Sequence, residues 1–334
     1  MGVTIKDVAK LAGTSTATVS KVLNGSYSIS EKTKNRIYKA MEELNYHPNQ
    51  RARNFARQNC NTVALVTTMG KDASFQNPHM FEMMCGMEEI LSKKGYSFIV
   101  KGLTADESTE YVKNAFETKM ADGFIIHASV ITPELNELIT KLEIPHLVIG
   151  IPSFDNNFCW IDVDNTQAGR AAAKYLISLG YRSFGFLGGP KSDVISVHRM
   201  EGVVDALKEF KHPLSKEWIK LGKSDTKTSY EMTMALLKQE KRPQAIICAN
   251  NYLAYGCVKA LKENGIKIPK DIAVIAFDDF PFSKVLEPRL SVVSIDVFEI
   301  GREAGKLILQ KIKTPNLHFQ SYVTFPVIIA REST

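Results

Sequence analysis

Cysteine is scarce in this chain of 334 residues, and its five copies, Cys60, Cys85, Cys159, Cys248 and Cys257, stand far apart. No pair has the two-residue separation of a metal knuckle, so neither a disulfide framework nor a zinc site is offered, and each cysteine reads as a small buried hydrophobe. Long apolar runs are missing as well. Nothing approaches the roughly 20 residues of a membrane-spanning helix, and Met1 is followed by a polar amphipathic stretch where a secretory signal needs an apolar one. A cytoplasmic location with no membrane partner is therefore expected. Catalytic fingerprints are equally rare. The run Gly185-Phe-Leu-Gly188-Gly189-Pro190 has neither phosphate-cradle nor dinucleotide spacing and reads as a turn after a strand. No serine elbow or pair of catalytic carboxylates is evident, with Asp278-Asp279 left open as a candidate. No catalytic residue, cofactor or metal is expected.

Charge imbalance is absent from most of the chain. Residues 62–334 carry 32 Lys plus Arg against 32 Asp plus Glu, whereas residues 1–61 carry ten against four and hold the whole net charge of +6. That basic segment contains TIKDVAKLAGTSTATVSKVLNG, residues 4–25, which reads as two short helices joined at Gly13. In the first, Thr4 and Asp7 have capping-box spacing, and Ile5, Val8 and Leu11 form an apolar stripe. Ser15 or Thr14 caps the second, where Val19, Val22 and Leu23 face inward and Thr16, Ala17, Ser20 and Lys21 face outward. Small polar residues at a helix N-terminus, with a cation one turn on, suit a DNA major groove. The same residues also fit a plain helical hairpin. The basic excess confined to this segment decides for a phosphate-binding module.

A third helix follows from about Glu31 to Leu44, capped by Ser30, with Ile37, Ala40, Met41 and Leu44 closing a small core. Asn49 can cap a short helical turn, Gln50 to about Arg57, which is too cationic and too short to fold unless docked. From Thr62 onward strands and helices alternate. Short buried strands are expected at 63–66, 97–100, 123–126 and 146–149, then at 183–187, 218–221, 245–248 and 272–276, with a helix between most neighbours. Two such series imply an α/β architecture of two doubly wound lobes, with a ligand pocket beyond the carboxyl ends of the strands.

The segments VTIKDVAKLAGTSTATVSKVLNG and NYHPNQRARNFA closely resemble the DNA-binding headpiece and hinge helix of the LacI/GalR family of bacterial transcriptional regulators. Later segments are similar to successive signatures of the same family, in order and spacing: DVDNTQAGRAAAKYLISLGY, FGFLGGP, HRMEGVVDAL, AIICANNYLAYGCVKALKENGIKIPKDIAVIAFDD and EPRLSVVSIDVFEIG. The resemblance implies a helix-turn-helix headpiece over 1–47, a hinge helix and linker over 48–61, and a two-lobe effector-binding and dimerisation domain over 62–334. That domain has the fold of periplasmic sugar-binding proteins, one lobe taking about 62–160 and 291–320, the other about 161–290 and 321–334. By the same resemblance Thr16, Ala17 and Lys21 meet base edges, with Ser20 beside them. Thr4, Ser15 and Asn24 would sit on phosphates, and Asn49, Arg53 and Phe55 belong to the minor-groove hinge. Phe55 replaces the usual wedge leucine, and either unstacks a base step or packs on the next domain.

Four side chains match the family's effector contacts: His127, Arg199, Asn250 and Asp278. Carboxylate, amide and guanidinium groups each hold adjacent hydroxyls, which suits a polyol: Arg199 would span ring oxygens, Asp278 accept from a hydroxyl pair, and Asn250 do both. His127 reads equally as a satisfied loop residue, and one of Asp278-Asp279 as a solvated turn. His79 is added to the effector set. It and Met80 stand where the family has two aromatics, and Met80 with Phe81 also reads as core. The long segment MGKDASFQNPHM and the run Val148-Ile149-Gly150-Ile151-Pro152 look like the maltose-type regulators, which implies an α-glucoside such as maltose or a maltodextrin. Asn251 stands where the family commonly has aspartate, and Ala276 where glycine is usual. The expected partners are a pseudo-palindromic operator in double-stranded DNA, a sugar-type effector and a second copy of the chain. After Ala330 no leucine heptads follow, so no tetramer tail is expected. A sugar phosphate or protein corepressor as the signal, a sugar-acting enzyme, and an exported sugar carrier are the alternatives.

Overall fold

The computed structural model describes residues 3–23, 29–46, 59–70 and 78–334. The chain divides into two compact units, residues 1–61 with 115–122, and residues 62–114 with 123–334.

The first unit contains helices α1 (Ile5–Leu11), α2 (Thr16–Leu23) and α3 (Glu31–Glu43). The capping box closes as its spacing requires, because the Thr4 amide and hydroxyl both donate to the Asp7 carboxylate, at 2.9 and 2.7 Å. Gly13 takes the turn at φ +60°, a left-handed conformation that a side chain disfavours. Ser15, not Thr14, caps α2, its Oγ accepting from the Thr18 amide at 3.1 Å. Val8, Ala9, Ala12, Val19, Val22, Ile37 and Ala40 form the core. Leu11, expected in the stripe, is 46% exposed. Four-residue steps from Ile5 and Val8 lead to Ala9 and Ala12, and these small residues let α1 approach its neighbours while Leu11 turns outward.

The second unit holds two six-stranded sheets. The first contains β1 (Thr62–Thr67), β2 (Ser97–Gly102), β3 (Gly123–His127), β4 (His146–Ile149), β5 (Trp160–Asp162) and β11 (Gln320–Tyr322), in the order β11-β5-β4-β3-β1-β2. All its pairings are parallel. The second contains β6 (Phe184–Gly188), β7 (Ile219–Leu221), β8 (Ala245–Cys248), β9 (Ala273–Phe277), β10 (Ser291–Ser294) and β12 (Val327–Ile329), in the order β12-β10-β9-β8-β6-β7. Only its edge pair β10–β12 is antiparallel. Strands β1, β4, β6, β8 and β9 are buried throughout, as parallel strands covered on both faces must be. Strand β2, expected to be buried, is an exposed edge, with Ile99 40% accessible.

The lobe boundaries also shift. Trp160–Asp162 pairs with β4 and so extends the first lobe past residue 160. Ser291–Ser294 pairs with β9 and belongs to the second lobe, so the return falls at 295–296 instead of before 291. Strand β11 pairs with β5, which moves the last crossing beyond Tyr322. These strands have three or four residues, too few to show a period, and their allegiance is set by the neighbour that pairs with them.

Helix α4 (Pro78–Lys93) packs on α11 (Val297–Lys313) over the first sheet. Phe81, read as core, is 57% exposed on α4. In the second lobe α7 (Asn165–Ser178) packs on α8 (Val194–Glu209). A Cβ on Gly169 would strike the Arg199 carbonyl and one on Gly202 the Thr166 carbonyl, so the two glycines set how closely these helices approach. Of the cysteines, Cys159, Cys248 and Cys257 are buried as expected, Cys60 is half-buried, and Cys85 is exposed because it lies on the outer side of α4. No helix among the described residues is long and apolar enough to cross a membrane.

His146 opens β4 almost without solvent access. Its Nε2 accepts from the Cys159 amide at 3.0 Å, so its Nδ1–H donates to the Ile144 carbonyl at 2.8 Å. The bond accepted from Cys159 demands an unprotonated Nε2, and burial pushes the pKa down from 6.5 to about 4 against the upward pull of the Ile144 carbonyl. Above pH 6.5 neither folded nor unfolded chain binds this proton. Between that value and about 4 only the unfolded chain does, so stability falls as the pH drops through this window, by roughly 3 kcal/mol in full. Burial lowers His79 and His127 in the same direction. Urea denaturation across this range should show the loss, and a His146→Asn variant should show a smaller slope; equal slopes would refute the assignment.

Candidate functional site

On the first unit, Thr16, Ala17 and Lys21 are exposed along one side of α2, opposite buried Val19 and Val22, and Ser20 is half-buried beside them. Thr4 and Ser15 are exposed, with their hydroxyls engaged in the helix caps. Asn24, Asn49, Arg53 and Phe55 lie outside the described residues. A row of small side chains ending in an ammonium presents little bulk and a positive end, which is what a groove of base edges admits.

In the second unit a cleft of about 1080 Å³ opens beside the carboxyl ends of the strands and is lined from both lobes. His79, His127, Arg199, Asn250 and Asp278 all line it. His79 comes from the first turn of α4 and His127 from the end of β3; Arg199 comes from α8, Asn250 caps α10 (Asn251–Glu263), and Asp278 follows β9.

Arg199 is 5% exposed and almost saturated with partners. Its Nε donates to Asn165 Oδ1 at 3.0 Å and its Nη1 to the Ala249 carbonyl at 2.7 Å. Nη1 and Nη2 meet the two oxygens of Asp278 at 3.1 and 3.2 Å, a bidentate pair. The guanidinium lies 4.5 Å from the centre of the Phe277 ring. Arg199 and Asp278, expected to hold separate hydroxyls, therefore hold each other. A buried guanidinium without a ligand needs a counter-charge, and the carboxylate at the next strand end supplies it.

Asn250 is also narrower in capability than expected. Its Oδ1 accepts from the Leu253 amide at 3.0 Å as the helix cap, which leaves its NH2 to donate. His127 Nδ1 accepts from the Ser129 amide at 3.2 Å and lies 2.8 Å from the Ser129 hydroxyl, which assigns the ring proton to Nε2. The local pairing foreseen for His127 is thus present, and the residue still lines the cleft. His79 Nδ1 stands 3.7 Å from the Asp278 carboxylate, and its ring meets Phe280 edge-on at 4.8 Å. Burial lowers the His79 pKa, with Asp278 acting in the opposite sense. These contacts join the two lobes across the cleft.

Neither aspartate of Asp278-Asp279 is a solvated turn. Asp279 pairs with Arg331 at 2.7 Å and Lys284 at 3.3 Å. Sequence reasoning missed Asp162, Asp193, Asp225 and Lys227 in the lining, and the rings of Phe154, Tyr252 and Phe280. Asp193 and Asp225 cap α8 and α9 (Thr226–Leu237), accepting from the Ser196 and Thr228 amides, and the aspartate three residues before each amide was the available signal. Burial raises the Asp162 pKa against the pull of backbone hydrogen bonds. Nothing local marks the three rings, which come from separate elements.

Residues 4–49 match the family described as bacterial regulatory proteins, lacI family, and residues 173–334 match a periplasmic binding protein-like domain. The chain is 30% identical to the HTH-type transcriptional repressor PurR of Vibrio parahaemolyticus over 333 residues, covering 99% of this chain and 98% of the relative. The Ribose operon repressor of Haemophilus influenzae is 29% identical over 333 residues, with the same coverage of 99% and 98%. Among solved structures, the transcriptional regulator CelR in complex with cellobiose aligns with a TM-score of 0.73 at 26% identity, covering 99% of this chain and 100% of that one. The lac repressor dimer bound to operator and the anti-inducer ONPF aligns at 0.83 with 23% identity, covering 100% and 99%, a likeness of fold. A basic helix-turn-helix unit, a two-lobe cleft unit and 30% identity over the full length of a repressor lead to one conclusion: this chain belongs to the lacI family of bacterial regulatory proteins and is a DNA-binding transcriptional repressor.

Proposed function

We propose that this repressor acts as a homodimer on genes of carbohydrate use, and that an uncharged sugar bound in the cleft sets its affinity for the operator. The observation that carries this reading is the charge of the cleft. Four carboxylates, Asp162, Asp193, Asp225 and Asp278, share the lining with two permanent cations, Arg199 and Lys227, and with His79, His127 and His198, of which burial shifts the first two toward the neutral form. An added phosphate would meet a net negative lining, whereas hydroxyls find both donors and acceptors. The rings of Phe154, Tyr252 and Phe280 supply apolar faces for a sugar ring in place of the aromatics absent at His79 and Met80. CelR, a structural relative, is known in complex with cellobiose, and one sequence relative is named for a ribose operon. The phrasing around residues 69–80 and 148–152 favours maltose or a maltodextrin within that class.

A sugar that touches His79 and His127 from one lobe and Arg199, Asn250 and Asp278 from the other binds the two lobe arrangements unequally. That inequality is what allows a ligand to shift a conformational equilibrium. The shift would reach DNA through residues 48–61, with Thr4, Ser15, Asn24, Asn49, Arg53 and Phe55 holding the backbone or minor groove. Thr16, Ala17, Ser20 and Lys21 would read the major groove.

Titration against the chain's own upstream DNA, with maltose, maltodextrins, cellobiose, ribose and their phosphates, tests the reading. One uncharged sugar should change operator affinity and its phosphate should not; a response to the phosphate alone would overturn the charge argument. Asp278→Asn should weaken that sugar by roughly tenfold to a hundredfold, because a charged acceptor is lost. Lys21→Ala should weaken operator binding by roughly tenfold and nonspecific DNA less. Equal loss on both DNAs would make Lys21 a phosphate contact.

A further inference from the structure

We infer that Asn251, which no cleft contact involves, is the positioning residue that aims the Asp278 carboxylate at Arg199 and the effector. This deepens the function proposed above and rests on it for the sugar alone. Asn251 is 0% exposed, although it directly follows the cleft residue Asn250. Its Nδ2 donates to two successive carbonyls at the end of β9, Phe277 at 2.7 Å and Asp278 at 2.8 Å. Its Oδ1 accepts from the Tyr255 hydroxyl at 3.3 Å and from the Ser283 hydroxyl. Both hydrogens and both lone pairs of the amide are thus used, and its NH2 group meets two carbonyls side by side without adding a charge.

The clamp matters because Asp278 sits at φ +71°, in the left-handed region that a side chain disfavours. Its own amide donates to the Val293 carbonyl at 2.9 Å, so with Asn251 both ends of the residue are tied. In that conformation both carboxylate oxygens reach Arg199. The acceptor side runs on to Ser283, also 0% exposed, in the 3-10 turn Pro281–Lys284 that follows the cleft ring Phe280. An ionised aspartate in place of Asn251 has no hydrogen to give either carbonyl and would set a buried negative charge against both. This chain therefore depends on the amide.

The test compares Asn251→Asp and Asn251→Ser with Ser283→Ala, which removes a buried hydrogen bond from the same network but spares both carbonyl bonds. Two quantities are read on the full-length protein: the sugar Kd for the member of the panel above that binds, and the coupling between Arg199→Gln and Asp278→Asn in urea unfolding. The wild type should show coupling of about tenfold in the unfolding equilibrium. Asn251→Asp should abolish that coupling and raise the sugar Kd about tenfold or more. Asn251→Ser, with one hydroxyl donor, should fall between, and Ser283→Ala should keep both quantities near wild type. If the Asp variant does not fold, the Ser variant decides. Asn251 variants with unchanged coupling, or with losses no larger than those of Ser283→Ala, would overturn the positioning role. If no sugar binds the wild type, the effector reading fails while the coupling still decides the role of Asn251.

Discussion

A guanidinium withdrawn from water must be answered by acceptors, and the second lobe is arranged around answering Arg199. Its side chain is met by Asn165 at the start of α7, by the Ala249 carbonyl after β8, and by Asp278 after β9. Three elements far apart in the sequence thereby meet at one cation. The backbone beneath it is set by Gly169, where any Cβ would collide with the Arg199 carbonyl. Packing of α7 on α8 and the polar floor of the cleft are therefore one constraint. A buried charge pair of this kind is a poor source of net stability, because desolvation opposes the Coulomb gain. Its value is in holding groups ready for a ligand that can replace or share them.

The two lobes meet that floor differently. The second lobe contributes the Arg199–Asp278 pair, whose partners are internal, while the first contributes Asp162 and two histidines, His79 and His127, that burial shifts toward the neutral form. His79 approaches Asp278 and Phe280 across the cleft, so a ligand entering there competes with a contact the protein already makes between its lobes. Such competition is how an occupant acquires different affinity for two lobe arrangements. Three chain crossings, near residues 163–164, 295–296 and 323–326, leave the lobes connected but not fused.

Much of this was legible along the chain. The helices of the first unit were readable because capping and a short apolar period are local, as Thr4 with Asp7 and Ser15 with Thr18 illustrate. Strands β1, β4 and β8 were readable because a parallel strand covered on both faces is apolar without interruption. All five expected effector residues reached one cleft: His127, Asn250 and Asp278 stand at or just after strand ends, and His79 and Arg199 in the opening turns of helices, whose direction a doubly wound topology dictates. What each of those side chains does there was not readable. Asn250 spends its oxygen on a helix cap, Asp278 spends its carboxylate on Arg199, and Asp279 turns to Lys284 and Arg331.

The sequence by itself determined the basic helix-turn-helix, the two alternating series and the chemistry gathered at the strand ends, because charge content, periodicity and capping act within a few residues. Only the tertiary structure decided which lobe owns the short strands Trp160–Asp162 and Ser291–Ser294, which rings line the cleft, and why Asn251 is buried. A three-residue strand has no period of its own, and a side-chain amide shows its purpose only when the carbonyls it must satisfy arrive from another part of the chain.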